Sequence, residues 1–191
     1  MHDRIEARSL SPAPPATIDV NTGDTRSRGV ELEGSYDLLR LIQAAPPSRH
    51  VDVFANATYL NARFTSSILP NQVGKVPAYA PDYVIKAGVT LRQDDAYKVS
   101  LIVDSVASQF FQDSNQPILL ANSTAIATQA RIPGYTVLDC SGQWTVVRHL
   151  NILGGVANLT DRRYYSRVFI SRGLVEPART RSFYAGLSYE I

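Results

Sequence analysis

The sequence predicts an all-β fold in which antiparallel strands form part of the wall of a transmembrane β-barrel. Three observations support this prediction. Extended segments of about 9 to 12 residues alternate apolar with polar side chains, short connections alternate with long ones, and aromatic residues gather near both ends of the segments. A tilted strand of that length can cross a bilayer, and the alternation lets one face contact lipid while the other faces a lumen.

The composition argues against several other classes of protein. The chain has 191 residues and a formal net charge of +2, which is too mild to suggest a nucleic acid partner. It has no run of about 18 apolar residues, so we predict no transmembrane helix. Cys140 is the only cysteine, which excludes an internal disulfide. The isolated His2, His50 and His149 suggest no metal site, and no cofactor is predicted.

The sequence also gives no support for an enzyme. Ser141, Asp139 and His149 are the residue types of a catalytic triad, but no pattern brings them into the geometry of nucleophile, base and orienting acid. Glu31 and Glu33 are two residues apart on the polar side of a predicted strand, which is typical of residues that line a lumen. We therefore predict that the chain is not an enzyme.

The N-terminal part contains only weak strand signals. Residues 4–10 and 16–20 are extended segments on either side of a proline-rich stretch, and we expect them to form one ragged strand. Residues 21–24, with the sequence Asn-Thr-Gly-Asp, predict a turn. The chain opens on a polar stretch without a secretory signal, so we expect it to be a fragment of a longer polypeptide.

Seven further strands are predicted from stronger patterns. Apolar and polar residues alternate along each of them, although Phe54 and Leu60 place apolar side chains on the polar side of their strand. The last strand ends the chain without a turn, so it needs neighbours on both edges, which a closed barrel provides. The seven strands cover residues 29–36, 51–64, 83–92, 97–111, 138–146, 150–158 and 180–191.

The connections and the aromatic residues define two ends of the predicted sheet. Residues 93–95 and 147–149 are short turns, whereas residues 65–81, 112–132 and 160–178 are long loops. The aromatic residues form two girdles, as at the two interfaces of a bilayer. The girdle at the short-turn end contains Tyr36, Tyr97, Trp144 and Tyr189. The girdle at the long-loop end contains Phe64, Tyr83, Phe110, Phe111, Tyr135, Tyr164, Tyr165 and Phe183.

Several motifs occur along the chain in a characteristic order. They are the residues Asn-Thr-Gly at 21–23, Arg-Gly-Val-Glu-Leu-Glu at 28–33, Ala-Thr-Tyr-Leu-Asn-Ala-Arg-Phe at 57–64, the segment 74–81, Pro-Gly-Tyr through Asp at 133–139, and the segment 156–165. Together they resemble the second half of a TonB-dependent outer-membrane receptor. The sequences of residues 59–64 and 74–81 are similar to those of receptors of the ferric dicitrate type.

This resemblance implies both a fold and a function. The family has a plugged barrel of about 22 strands, so residues 1–191 would supply the C-terminal 7 to 8 strands, without the plug domain and without the segment that contacts TonB. The implied activity is TonB-dependent uptake of a ferric siderophore or a similar iron chelate across the bacterial outer membrane. The implied partners are the ferric chelate, the TonB complex through the missing N-terminal part, and outer-membrane lipid.

The C-terminus resembles a second signal of outer-membrane barrels. In that signal a glycine is followed three residues later by an aromatic residue and then by a terminal aromatic residue. Gly186, Tyr189 and Ile191 occupy these places, with Ile191 instead of the usual phenylalanine. The resemblance implies recognition by the barrel assembly machinery.

The last long loop and its flanks are rich in arginine. Guanidinium groups pair with carboxylates and phosphates through two parallel hydrogen bonds. We expect Arg167 and Arg172, with Tyr164 and Tyr165 beside them, to bind an anionic ferric chelate. Arg162 and Arg163 lie nearer to the predicted membrane border, where we expect them to contact lipid and lipopolysaccharide phosphates.

Two alternatives belong to other classes. The chain could be a self-contained small outer-membrane barrel with a structural or adhesive role, because eight strands can close into a barrel. It could also be a soluble, lipocalin-like ligand binder. A longer reading frame that encodes a plug would favour the receptor fragment, whereas solubility of the purified chain without detergent would favour the lipocalin-like binder.

Overall fold

In the computed structural model the described residues are 2–9, 17–41, 46, 48–117, 130–169 and 174–189. Eight of the strands form one antiparallel sheet. They are β1 (His2–Ser9), β2 (Thr17–Asp37), β3 (Arg49–Ser67), β4 (Tyr83–Gln93), β5 (Tyr97–Val106), β8 (Tyr135–Val147), β9 (Leu150–Ala157) and β12 (Ser182–Tyr189). The other elements are α1 (Leu38–Leu41), β6 (Gln109–Phe110), β7 (Arg131–Ile132), β10 (Tyr165–Phe169) and β11 (Leu174–Pro177).

The sheet is an open meander. Its strands are ordered β1-β2-β3-β4-β5-β8-β9-β12, so each strand pairs with the strand that precedes it in the sheet and with the one that follows it. Within the described residues β1 and β12 lie at opposite edges and do not pair with each other. The predicted all-β, antiparallel sheet is therefore confirmed. The closed small barrel and the lipocalin-like barrel are both wrong, because each needs those two edges to join.

The N-terminal prediction was wrong in one respect. Residues 2–9 and 17–25 form the two strands of a hairpin instead of one ragged strand, and the predicted turn at 21–24 lies inside β2. The reason is Gly23, which pairs with Arg4 on one side and with Ser67 on the other. A Cβ atom at this position would collide with the carbonyl oxygen of Ser66. Glycine thus lets β2 continue past a close backbone approach instead of turning.

Two other boundaries differ from the prediction. β5 ends at Val106 instead of continuing to residue 111. At this end the backbone of Gly134 approaches closely, since an added Cβ would lie 2.9 Å from the Val106 carbonyl oxygen. Phe110 belongs to the separate pair β6–β7. The predicted loop 160–178 also contains structure of its own, since β10 and β11 form an antiparallel hairpin within it.

The register reveals how the strands are tilted. One row of directly opposed residues begins at Tyr36 near the short turns and ends at Phe183 near the long loops, through Val53, Val89, Leu101, Cys140 and Val156. In β12 the aromatic residue at the short-turn end is Tyr189, six residues beyond Phe183 and six strands away from β2. Six residues of about 3.3 Å and six steps of about 4.8 Å correspond to a tilt of about 35°, which is typical of barrels.

Candidate functional site

One face of the sheet, which we call the apolar face, contains Val30 and every residue that shares its side along the strands. Directly opposed residues such as Leu32, Ala57 and Ile85 belong to it. Between the aromatic ends of the described strands this face contains no charged residue. Its large side chains are nevertheless open to their surroundings, with Leu32 68% exposed and Leu187 73% exposed. A continuous apolar surface exposed to this extent marks a region that contacts lipid or protein instead of water.

The opposite face, which we call the polar face, contains ion pairs and hydrogen bonds between neighbouring strands. Arg92 donates from Nε to Asp52 at 2.7 Å, and Lys86 lies 3.4 Å from Asp104. The hydroxyls of Thr90 and Ser100 are buried and hydrogen-bonded to each other at 2.8 Å. Polar side chains on this face thus find their partners within the sheet.

Aromatic side chains on the polar face cover glycines. A Cβ added at Gly88 would lie 2.7 Å from Cε1 of Phe54, and one added at Gly155 would lie 2.5 Å from the hydroxyl of Tyr184. Each aromatic residue is directly opposite the glycine that it covers. This packing explains why Phe54 breaks the alternation in the sequence, since its ring fills the space above a residue without a side chain.

The short-turn end of the polar face contains a charged network. Nδ1 of His50 is 2.6 Å from Asp37, Nε2 of His50 is 3.6 Å from Asp94, and Asp94 also accepts a hydrogen bond from Arg92 at 2.9 Å. The His50 side chain is only 5% exposed. An open cleft of about 860 Å³ lies beside this network, lined by residues of the turns 93–97 and 145–149.

At the long-loop end the loops pack against one another. Phe111, Ile132 and Val168, which we call the loop cluster, are each at most 4% exposed, and Tyr165 and Val175 pack against them. These residues come from β7, from the segment after β6, and from the hairpin β10–β11. Two of the three long loops therefore share one small hydrophobic core.

The loop after β3 joins the same assembly through hydrogen bonds. The Asn115 side chain accepts from the Val76 amide at 2.9 Å and donates to the Val76 carbonyl at 2.7 Å. The Tyr79 amide donates to the Phe110 carbonyl at 2.8 Å, and the Tyr79 hydroxyl lies 3.3 Å from both the amide and the carbonyl of Val168. Tyr79 thus connects all three long loops.

The predicted ligand residues occupy different surroundings. Arg167 is exposed on β10, with its guanidinium 5.4 Å from the centroid of Phe169. Tyr164 stacks on Tyr135 with ring centroids 4.1 Å apart. Tyr165 is half-buried against the loop cluster, and this burial raises the pKa of its hydroxyl. The structure thus gives both tyrosines packing contacts, whereas Arg167 presents its charge to solvent. Arg172 lies outside the described residues.

The other arginines of this loop are also exposed. Arg162, Arg163, Arg179 and Arg181 have exposed side chains, and within the described residues no ion pair involves them. Asn158 organises the turn that precedes them, because it accepts from the Arg162 amide at 2.8 Å and donates to the carbonyls of Arg162 and Arg179 at 2.8 and 3.2 Å. The residue type is the one sequence feature that hints at this role, since asparagine tolerates the positive φ of 53° found at Asn158.

The aromatic residues near the short turns all lie on the apolar face. Tyr36, Tyr97, Trp144 and Tyr189 are 53%, 37%, 47% and 68% exposed. The girdle predicted at the long-loop end needs correction, because Phe64 and Phe111 are 2% and 1% exposed and cannot face lipid. Gly186 lies on the polar face opposite Leu153, and Ile191 lies outside the described residues.

Within the described residues, no helix is long and apolar enough to span a membrane. No three histidine, cysteine, aspartate or glutamate side chains of these residues are grouped so that they could hold a metal ion.

The chain matches one family and several solved structures. The model of the TonB-dependent receptor-like β-barrel family matches residues 2–159. No curated protein matches the sequence. The unliganded ferric citrate transporter FecA is 23% identical with a TM-score of 0.73, over 87% of this chain and 24% of FecA. The ferric yersiniabactin uptake receptor FyuA from Yersinia pestis is 21% identical with a TM-score of 0.69, over 90% of this chain and 24% of FyuA.

A third structure, the copper transporter OprC, is 17% identical with a TM-score of 0.64, over 98% of this chain and 26% of OprC. At these identities the likeness concerns the fold. The chain spans about a quarter of the length of each of the three structures. The family match covers most of the chain, and the open antiparallel sheet agrees with it. The chain therefore belongs to the TonB-dependent receptor family, and its sheet is a portion of that family's β-barrel.

Proposed function

We propose that residues 1–191 form the C-terminal portion of the barrel of an outer-membrane receptor that takes up a ferric chelate in a TonB-dependent manner. The main support is the contrast between the two faces of the sheet. A continuous, uncharged and exposed apolar face suits lipid, whereas the paired charges of the polar face suit a lumen filled by water and protein. The proposed partners are outer-membrane lipid and lipopolysaccharide, the TonB complex through another part of the receptor, and the barrel assembly machinery through Gly186, Tyr189 and Ile191.

The proposed ligand is an anionic metal chelate. Arg167 and its exposed neighbours form a cationic surface at the long-loop end, which we assign to the cell exterior. Two acidic residues of the same loop lie near this surface. Asp161 accepts a hydrogen bond from the Arg181 amide at 3.0 Å instead of binding a guanidinium. Glu176 is directly opposite Arg167 in β11, but within the described residues the two form no ion pair. Two of the similar structures are named for uptake of ferric citrate and ferric yersiniabactin, and a third for copper.

Tyr164 and Tyr165 hold the loop that presents this cationic surface. Tyr164 is held by its stacking on Tyr135, and Tyr165 anchors the β10–β11 hairpin in the loop cluster. We propose that they position Arg167 and Arg172 for the chelate, with Arg162 and Arg163 nearer to lipid. Converging guanidinium groups also raise the local concentration of an anion before it binds.

The test compares arginines at the two ends of the sheet in the complete receptor. Replacing Arg167 and Arg172 by Ala should weaken binding of ferric citrate by about tenfold or more, because each change removes charge-assisted hydrogen bonds. The dependence of the affinity on salt should also decrease. Arg148→Ala, in an exposed short turn, is the matched control and should leave both quantities unchanged.

A neutral ferric hydroxamate serves as the second probe, since it should bind the wild type and the double variant equally. Circular dichroism and the amount of heat-modifiable barrel should be the same in all three proteins. Unchanged ferric citrate affinity at low salt in a folded double variant would reject the loop as the ligand site.

A further inference from the structure

A second group of arginines lies on the apolar face, just beyond its long-loop edge. Arg26 and Arg28 are consecutive members of this face in β2, and Arg63 lies on the same face of β3. Arg26 is directly opposite Arg63, and Arg28 is directly opposite Asn61. Arg26 and Arg28 are exposed and Arg63 is partly exposed. We call Arg26, Arg28 and Arg63 the β2–β3 arginine cluster.

This arrangement of like charges is unfavourable unless an anion binds to the cluster. Directly opposed side chains in an antiparallel pair have Cβ atoms about 5 Å apart, and like charges there destabilise the sheet. Within the described residues no carboxylate pairs with the cluster. The nearest acid along β2, Asp24, accepts a hydrogen bond from Ser66 at 2.8 Å, and Nη1 of Arg63 donates to the Ala62 carbonyl at 2.8 Å. On the polar face, by contrast, Arg92 has two carboxylate partners.

The position of the cluster identifies the kind of anion. Val30 and Tyr59 are opposed to each other and form the last apolar row of β2 and β3, at 58% and 56% exposure. Arg28 is two residues beyond that row, and Arg26 is four residues beyond it. At about 3.3 Å per residue and about 35° of tilt, these distances are about 5 and 11 Å along the membrane normal. That depth corresponds to the lipid headgroups.

We infer that the β2–β3 arginine cluster binds phosphate groups of lipopolysaccharide in the outer leaflet. Guanidinium groups bind phosphate through paired hydrogen bonds, and three of them above an apolar band match a headgroup whose acyl chains run down that band. The Asn61 side chain beside Arg28 adds further hydrogen-bonding capacity. This inference rests on the proposed placement in the outer membrane, and it concerns residues far from the arginine-rich loop of the chelate proposal.

The experiment uses the complete receptor purified in detergent. The double variant Arg26→Gln with Arg63→Gln should bind lipopolysaccharide about tenfold more weakly than the wild type. Arg148→Gln, an exposed arginine at the short-turn end, is the control and should bind like the wild type. Lipopolysaccharide stripped of its lipid A phosphates should bind both proteins with the same reduced affinity.

A stability measurement separates binding from a merely structural role. Without lipopolysaccharide, the double variant should melt at the same temperature as the wild type or higher, because the repulsion between Arg26 and Arg63 is removed. With lipopolysaccharide, only the wild type should gain thermal stability. A lower melting temperature without lipid, or equal lipopolysaccharide affinities, would overturn the inference.

Two further measurements identify the source of the phosphate and test the proposed barrel placement separately. Inorganic phosphate at millimolar concentration should not compete with lipopolysaccharide, and full competition would mean a free-phosphate site instead. Insertion of the wild type into phospholipid vesicles without lipopolysaccharide tests the barrel placement. Failure to insert would overturn both proposals, whereas insertion with equal lipopolysaccharide affinities would overturn this one alone.

Discussion

The two faces of the sheet share one hydrogen-bonded backbone but suit opposite surroundings. On the apolar face, Phe183 and Leu187 are 74% and 73% exposed, while on the polar face Ser100 is 7% exposed. A protein surrounded by water on both sides would show the reverse. The difference teaches that alternation by one residue gives a single strand two unlike faces, and that each face needs its own test.

The largest effect is expected from a charge in the middle of the apolar face. Leu101 lies between Val99 and Val103 on that face of β5. Leu101→Arg should destabilise the complete receptor in lipid by about 2 to 4 kcal/mol, because an arginine near the bilayer midplane loses its hydration. Unfolding by guanidinium chloride in phospholipid vesicles measures this loss.

The matched control places the same residue on the polar face. Asn56 is exposed there and lies directly opposite Glu33 and Lys86. Asn56→Arg should change the free energy of unfolding by less than about 1 kcal/mol, since exposed charges contribute little. Ser100 is a poor control, because its buried hydroxyl pairs with Thr90. Equal losses for Leu101→Arg and Asn56→Arg would contradict the assignment of the two faces.

A smaller effect is expected where the polar face is covered by an aromatic ring. A Cβ at Gly88 would lie 2.7 Å from Phe54 and 2.8 Å from the Leu101 carbonyl oxygen, which is too close for either atom. Gly88→Ala should therefore cost about 1 to 3 kcal/mol as the ring and the strand shift. Gly34→Ala is the control, since nothing lies within 4 Å of its added Cβ. The same denaturation measurement compares them, and equal stability of the two variants would argue against ring-on-glycine packing.

The strands could be predicted because their signal is local. Alternation within one segment identified β4, β8 and β9 and the faces of each. It could not identify the hairpin of β1 and β2, since the role of Gly23 depends on Ser66, a residue more than forty positions away. The exception at Phe54 has the same origin, because it depends on Gly88 in the neighbouring strand.

The candidate ligand site was predicted only in part. The concentration of arginines in the last loop is visible in the sequence, and Arg167 is exposed as a ligand residue requires. The stacking of Tyr164 on Tyr135 and the burial of Tyr165 arise from tertiary packing between loops, which no local pattern encodes. Tyr79, which joins the three loops, shows no distinguishing feature in the sequence.

The two ends of the sheet can be compared in the same way, since Tyr79 joins the loops at the long-loop end. Removing its hydroxyl by Tyr79→Phe leaves the Val168 amide and carbonyl without this partner. We expect a loss of about 0.5 to 1.5 kcal/mol, confined to the long-loop end. Hydrogen exchange of the β10–β11 amides should accelerate, while exchange of the β4–β5 ladder stays the same. Tyr97→Phe at the short-turn end is the control, and faster exchange there or in both variants would refute a specific role for Tyr79.

The smallest effect is expected at the opposite end, around Asp37. Nδ1 of His50 donates a hydrogen bond to this carboxylate at 2.6 Å, and the amides of Val51 and Leu39 donate to it at 3.3 and 3.1 Å. The bond to His50, followed by those amides, lowers the pKa of Asp37 from its ordinary value of 3.8. Nε of Arg40 lies 3.4 Å from the same carboxylate, while Asp94 faces His50 from the other side.

The sign of the pH dependence follows from linkage. Because folding lowers the pKa of Asp37, the folded chain binds this proton less readily than the unfolded chain does. The stabilisation is therefore complete above the ordinary pKa of about 3.8 and is lost as pH falls through the lower pKa of the folded state.

Proteolysis of the connection between β2 and β3 should become faster below about pH 4 in the wild type. Asp37→Asn should show fast cleavage at every pH, whereas Asp95→Asn, in the exposed turn after β4, should behave like the wild type. If the cleavage rate of Asp37→Asn still depends on pH, the acid sensitivity belongs to another group. The two ends of the sheet would then differ in their packing, but Asp37 would not make the short-turn end more sensitive to acid.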